Sequence, residues 1–136
     1  MKQLIFLRGV SGSGKSTLAI SLEKAYNGIA ISADDYFIND AGTYIFDEKE
    51  IGKAHKSCIE QTKAALIGDD YEVIIIHNTS VSNHDVEFYR DIAIEYNASF
   101  TSLVVENRHE GKNIHNISDE KIERQALNLL NNIKVI

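Results

Sequence analysis

The chain of 136 residues has no proline, no tryptophan and a single cysteine, Cys58. The first two absences constrain function little, but the third excludes an intrachain disulfide and suits a reducing compartment. No stretch approaches the ~20 consecutive apolar residues of a membrane-spanning helix, so no membrane partner is expected. The apolar run at residues 4–7 leads through Arg8 into a glycine-rich turn. It therefore reads as a strand, not a signal peptide, and a cytoplasmic location is expected. Basic residues are also scarce, with fourteen Lys and Arg against twenty Asp and Glu and a net charge of −6. That weakens the case for extended non-specific nucleic-acid contacts, which depend on neutralising many phosphates, but leaves room for a local basic patch. A chain of this length buries one α/β core, so 1–136 is expected to be a single domain that builds every site it has.

What is present is organised around residues 3–19. A short apolar strand meets Gly9-Val10-Ser11-Gly12-Ser13-Gly14-Lys15-Ser16, and the turn opens into a helix. This matches G-x-x-x-x-G-K-[ST]. Glycines let successive backbone N–H groups curl round a phosphate, the lysine reaches the β- and γ-phosphates, and the serine hydroxyl ligates Mg²⁺. The helix N-terminus adds partial positive charge at the same point. Gly9, Ser11, Gly12, Ser13, Gly14, Lys15, Ser16 and Thr17 are the candidate nucleotide-binding residues, with Ser16 the candidate metal ligand and Mg²⁺·ATP the expected cofactor.

Further along, 16–26 reads as a helix and 29–32 as a second strand, delivering Asp34 and Asp35. Acids just beyond a strand lie where open α/β sheets place their ligands. Residues 38–46 read as a loop with an aromatic rim. Asp47 is placed to cap a helix ending at Leu66 or Ile67, with Cys58 on its core face. His55, on the border of that face, is expected to rest over the core with a hydrogen-bonded tip, with an active-site contact as the alternative. Residues 73–76 have the continuous apolar pattern of a central strand and carry His77, Asn78 and Thr79 to the edge that holds the phosphate loop. A third helix is expected from Ser82 or Asn83 to Tyr96 and a fourth strand over 100–105. The polar segment of about 106–117, including Arg108 and Lys112, breaks every period and is the candidate lid. Ser118 caps the last helix, whose expected apolar stripe is Ile122, Ala126, Leu127 and Leu130. Strands alternating with helices predict a three-layer α/β/α P-loop NTPase fold on a parallel sheet of four or five strands.

A phosphate loop alone does not separate a kinase from a switch or a motor. An Asn/Thr-Lys-x-Asp guanine-recognition sequence is absent, and the apolar strand ends in Ile76-His77-Asn78, not Asp-Glu, which argues against a hydrolysis-driven machine. A small kinase needs a carboxylate to take the proton of an attacking hydroxyl and cations to gather charge on the moving phosphoryl group. Asp34 or Asp35 supplies the first and Arg108 and Lys112 the second.

Taken together, residues 7–19, Ser32-Ala33-Asp34-Asp35-Tyr36-Phe37, Ala54-His55, Ile76-His77-Asn78-Thr79 and Asn113-Ile114-His115-Asn116-Ile117-Ser118 resemble the polynucleotide-kinase-like P-loop family. The resemblance runs over nearly the whole chain. It implies that Asp34, the first acid of the Asp-Asp-Tyr segment, is the general base, that Lys15 and Ser16 keep their phosphate and Mg²⁺ roles, and that Arg108 is the lid arginine with Lys112 beside it. Asp35, Asn78 and Thr79 are the candidate substrate contacts. His77 departs from the pattern, since short relatives often carry Asp there. The function this implies is transfer of the γ-phosphate of ATP to a hydroxyl acceptor, with a 5′-hydroxyl nucleic-acid end preferred. Two alternatives stay open: a nucleotide-binding regulatory or interaction module without transfer, and a small-molecule, nucleoside-like kinase.

Overall fold

The computed structural model describes residues 1–79, 82–106 and 118–132. The strands are β1 (Gln3–Arg8), β2 (Gly28–Ile31), β3 (Val73–Ile76) and β4 (Ser99–Val104); the helices are α1 (Lys15–Ala25), α2 (Ile51–Ile67), α3 (Asn83–Glu95) and α4 (Asp119–Asn132). Among the described residues they form one parallel four-stranded sheet in the order β2-β3-β1-β4. The three-layer α/β expectation holds.

Side-chain alternation along the strands divides the core in two. Leu4, Phe6, Ile74 and Ile76 face Ala54, Cys58 and Leu66 of α2 and Tyr89, Ile92 and Ala93 of α3. Leu7, Val73 and Ile75 face Leu18, Ala19 and Leu22 of α1 on the other side. All four residues of β3 are buried, as a strand covered on both faces requires. Phe6 anchors the first cluster with its ring centroid 5.1 Å from that of Tyr89.

The same order decides where a ligand fits. The chain leaves β1 through α1 on one face and leaves β3 through α3 on the other, so the adjacent carboxyl ends of β1 and β3 form a crevice at a topological switch point. Phe6 pairs with Ile76 and Arg8 with Val104, which aligns those ends at one edge. The phosphate loop and His77-Asn78-Thr79 both emerge there.

Local boundaries follow from caps. Asp47 accepts from Lys49 N and caps a 3-10 turn, Glu48–Glu50, that runs into α2; the sequence suggested one continuous helix. Ser82 caps α3 through Asp85 N, and Ser118 accepts from Lys121 N at 3.2 Å to open α4. On α4, Ile122 and Ala126 of the expected stripe are half-buried, but Leu129 is buried where Leu127, 59% exposed, was expected; the side chain of Leu130 lies outside the described residues. On α3, Ile94 also points outward.

Candidate active site

The phosphate loop is shaped by backbone geometry. Ser13 N donates to Val10 O at 3.1 Å, tightening the turn, and Gly12 and Gly14 adopt positive φ of 81° and 101°. That left-handed conformation is strained for any residue with a Cβ. Gly9 is needed for a different reason, since a Cβ there would meet Ser13 Oγ and Val105 O at 2.6 Å each. No side chain caps the N-terminus of α1 and no acid lies in its first turn, so its N–H groups face the loop without a competing carboxylate. This is the arrangement an anion requires.

Lys15 is only 6% exposed, and its Nζ donates to Val10 O at 2.8 Å. Burial lowers its pKa to about 8, against the opposing charge of Asp34. Ser16 Oγ lies 3.3 Å from His77 Nδ1. Burial also pushes the His77 imidazole below its ordinary range, with Asp35 opposing that shift and Lys15 reinforcing it. A neutral His77 that carries its proton on Nε2 accepts from the Ser16 hydroxyl and leaves the serine oxygen's lone pairs for a cation. Among the described residues no three His, Cys, Asp or Glu side chains gather into a metal cluster. A Mg²⁺ at this site would thus be held by Ser16 together with phosphate oxygens, the usual manner for this ion. The loop conformation, the buried lysine and the serine fit a Mg²⁺-bound nucleotide.

The two acids after β2 have different surroundings. Ser32 Oγ accepts from Asp34 N at 3.2 Å, and Asp35 Oδ2 accepts from Ser32 N at 3.2 Å, a reciprocal capping box on the 3-10 turn Ala33–Phe37. Asp35 therefore holds the turn, and burial raises the pKa of its carboxyl. Asp34 faces a cavity of about 320 Å³ that Ser11, Asn78 and Thr79 also line. Tyr44 OH approaches Asp34 Oδ1 at 3.4 Å, and the Tyr44 phenol is pushed up to about 12, first by burial and then by that carboxylate. Tyr44 thus stays a neutral donor.

Asn78 is 4% exposed, and its Oδ1 accepts from Ala33 N at 2.6 Å. Its Nδ2 reaches Cys58 Sγ at 3.5 Å, and Cys58 Sγ lies 3.3 Å from Tyr89 OH. Thr79 Oγ1 is 3.5 Å from Ser11 Oγ.

The structure thus brings Ser11, Asp34, Asn78 and Thr79 to one cavity and leaves Asp35 outside its lining. Arg108 and Lys112 lie outside the described residues. Phe37, Tyr44, Phe46, Lys121 and Gln125 also line the cavity; the sequence marked Tyr44 and Phe46 only as part of an aromatic rim and gave none of the five a site role. One signal was available: Gln125 is a polar residue three after Ile122 and four before Leu129, on the inward stripe of α4. His55 corrects its expectation, for it is exposed and borders the cavity instead of resting over the core.

A family model described as an AAA domain matches residues 4–111. The chain belongs to this AAA domain family. Its matched region runs from β1 past β4 and includes the phosphate loop, Asp34 and Asn78. NEDD4-binding protein 2 of Homo sapiens is 34% identical over 131 residues, covering 89% of this chain. The chain spans 7% of that relative's length. Among solved structures, the Pnkp1/Rnl/Hen1 RNA repair complex contains a chain that matches with a TM-score of 0.72 at 21% identity, over 96% of this chain and 44% of that one. The APS kinase CysC of Mycobacterium tuberculosis matches with a TM-score of 0.56 at 16% identity, over 96% and 97% of the two chains. A gluconokinase from Sinorhizobium meliloti matches with a TM-score of 0.58 at 13% identity, over 93% and 74%. The fold is that of the P-loop kinases, and the resemblance to the polynucleotide-kinase-like group holds.

Proposed function

We propose that this AAA domain family member is an ATP-dependent phosphotransferase that moves the γ-phosphate to a hydroxyl acceptor, with a 5′-hydroxyl nucleic-acid end as the preferred acceptor. The observation that carries the proposal is that Asp34 and Ser11 line the same cavity, so a carboxylate and the phosphate loop border one space. Asp34 takes the proton of the acceptor hydroxyl as its oxygen attacks the γ-phosphorus. The bond to the bridging oxygen breaks, and ADP leaves with the electron pair. Lys15 supplies charge at the phosphates, with Arg108 and Lys112 assigned the lid's share by resemblance. The matched RNA repair complex and the aromatic side chains of Phe37, Tyr44 and Phe46 favour a nucleobase beside the hydroxyl. At about 320 Å³ the cavity suits one terminal nucleoside, not a length of strand, in keeping with the net charge of −6.

The same small volume favours, as a second reading, a small hydroxylated acceptor such as a nucleoside or sugar. Incubation with γ-labelled ATP and 5′-hydroxyl DNA, 5′-hydroxyl RNA, nucleosides and sugars separates the two. Label is expected on a nucleic-acid 5′ end, and Asp34→Asn is expected to lower transfer by about 10²–10⁴-fold while ATP still binds. Label on no acceptor, with intact Mg²⁺·ATP binding, would overturn transfer in favour of a nucleotide-binding module.

A further inference from the structure

Ser11 N donates to Gln125 Oε1 at 3.0 Å, joining the phosphate loop to α4 across 114 residues. Because the backbone N–H is the donor, the amide atom facing it must be the oxygen, which fixes the orientation of the side chain. The Nε2 group is then left as the amide's donor end, without a hydrogen-bond partner among the described residues. Gln125 also lines the cavity shared by Ser11 and Asp34. It therefore stands at the border between the loop that holds phosphates and the carboxylate that faces the acceptor.

We propose that Gln125 is a γ-phosphate contact: its Oε1 holds Ser11 N in place while its Nε2 donates to the terminal phosphate, so that α4 distinguishes ATP from ADP. The proposal rests on the phosphate-site reading of the loop and not on transfer. The side chain is suited to both tasks because a primary amide carries an acceptor and two donors on one rigid plane. A carboxylate of the same shape would keep the first contact and repel the phosphate. A methionine of similar length would lose both.

The test is calorimetric binding of Mg²⁺·ATP and Mg²⁺·ADP to the wild-type chain, Gln125→Glu and Gln125→Met at pH 7.5, with thermal unfolding of each as a check on folding. Gln125→Glu retains the acceptor for Ser11 N, so its loop geometry is preserved. ATP affinity is expected to fall about tenfold or more in Gln125→Glu and several-fold in Gln125→Met, as one charge repulsion and one lost charge-assisted hydrogen bond imply. ADP affinity is expected to change by less than about threefold, since ADP has no γ-phosphate to lose the contact. An unchanged ratio of ATP to ADP affinity in folded Gln125→Glu overturns the proposal alone. Failure of the wild-type chain to bind either nucleotide overturns the phosphate-site reading and the proposal with it. A wild-type chain that binds nucleotide and labels no acceptor removes transfer and leaves the role of Gln125 standing.

Discussion

Ala33 N and Asn78 Oδ1 meet at 2.6 Å, joining the end of β2 to the end of β3 through a buried side chain. The next residue after Ala33 is Asp34, so this bond fixes the carboxylate relative to the phosphate loop on the neighbouring strand. Cys58 and Tyr89 support the Asn78 amide from behind.

Replacing Asn78 with alanine leaves the Ala33 N–H buried without that acceptor. A cost of about 1–3 kcal/mol in unfolding free energy is expected. Phosphoryl transfer should fall further than ATP affinity, because the acid is displaced while the loop is untouched. Denaturant titration and binding calorimetry on Asn78→Ala check both halves.

Gly9→Ala places a methyl group 2.6 Å from Val105 O, a backbone atom that cannot rotate away. The loop or the exit of β4 must shift, at about 1–3 kcal/mol. A lowered melting temperature together with weakened ATP binding is the expected result, whereas an alanine substitution at exposed Gly52, where a Cβ meets nothing within 4 Å, should leave binding unchanged.

The buried ammonium of Lys15 has a pKa of about 8, against an ordinary 10.5. In the free protein the unfolded chain therefore holds more protons between those values, and this group's contribution makes stability rise with pH through that window. Nucleotide phosphates favour the charged lysine, so binding above pH 8 takes up a proton. ATP affinity should drop as pH rises past 8, by up to about tenfold per pH unit. Calorimetry at pH 8.5 in two buffers of different ionisation enthalpy reads the uptake directly, and Lys15→Met should abolish it.

For His77 the sign is that of a group held neutral. Its folded pKa lies below the ordinary 6.5, so between the two values the unfolded chain binds a proton that the folded chain does not. Stability should fall as pH falls through that window. The charged and polar groups around the ring are Asp35, Lys15, Asp34, Glu23 and Ser16. Asp35, whose pKa is raised above the ordinary 3.8, contributes in the opposite sense at lower pH, since the folded state takes its proton first. Denaturation at pH 7.5 and pH 6 should show a smaller loss in His77→Asn than in the wild-type chain.

The phosphate loop was legible from the residues because its chemistry is local: glycines at fixed offsets, one lysine and one hydroxyl determine a backbone cradle wherever a strand feeds a helix. The four strands and four helices were likewise legible, within a residue or two except at the start of α2, where a 3-10 turn stands between the Asp47 cap and Ile51, since alternation and capping residues act over short distances. Which acid of the Asp34-Asp35 pair faces the acceptor was not a local matter. The residues alone left it open, and the resemblance to kinases chose Asp34; in the structure Asp35 closes the Ser32 capping box while Asp34 lines the cavity, which supports that choice.

Other features depended on the packing of distant segments. His55 turned toward the cavity, and Leu129 replaced Leu127 in the core, through the way α2 and α4 settle on their neighbours. The sequence by itself determined the phosphate loop, the alternating layers and the edge of the sheet at which chemistry could occur. Tertiary structure alone decided that Asn78 would hold Ala33, that Tyr44 would meet Asp34, and that Gln125 would reach Ser11. Those contacts join residues 45, 10 and 114 positions apart, and the two longer ones arise only when strand order and helix packing bring separate segments to one edge.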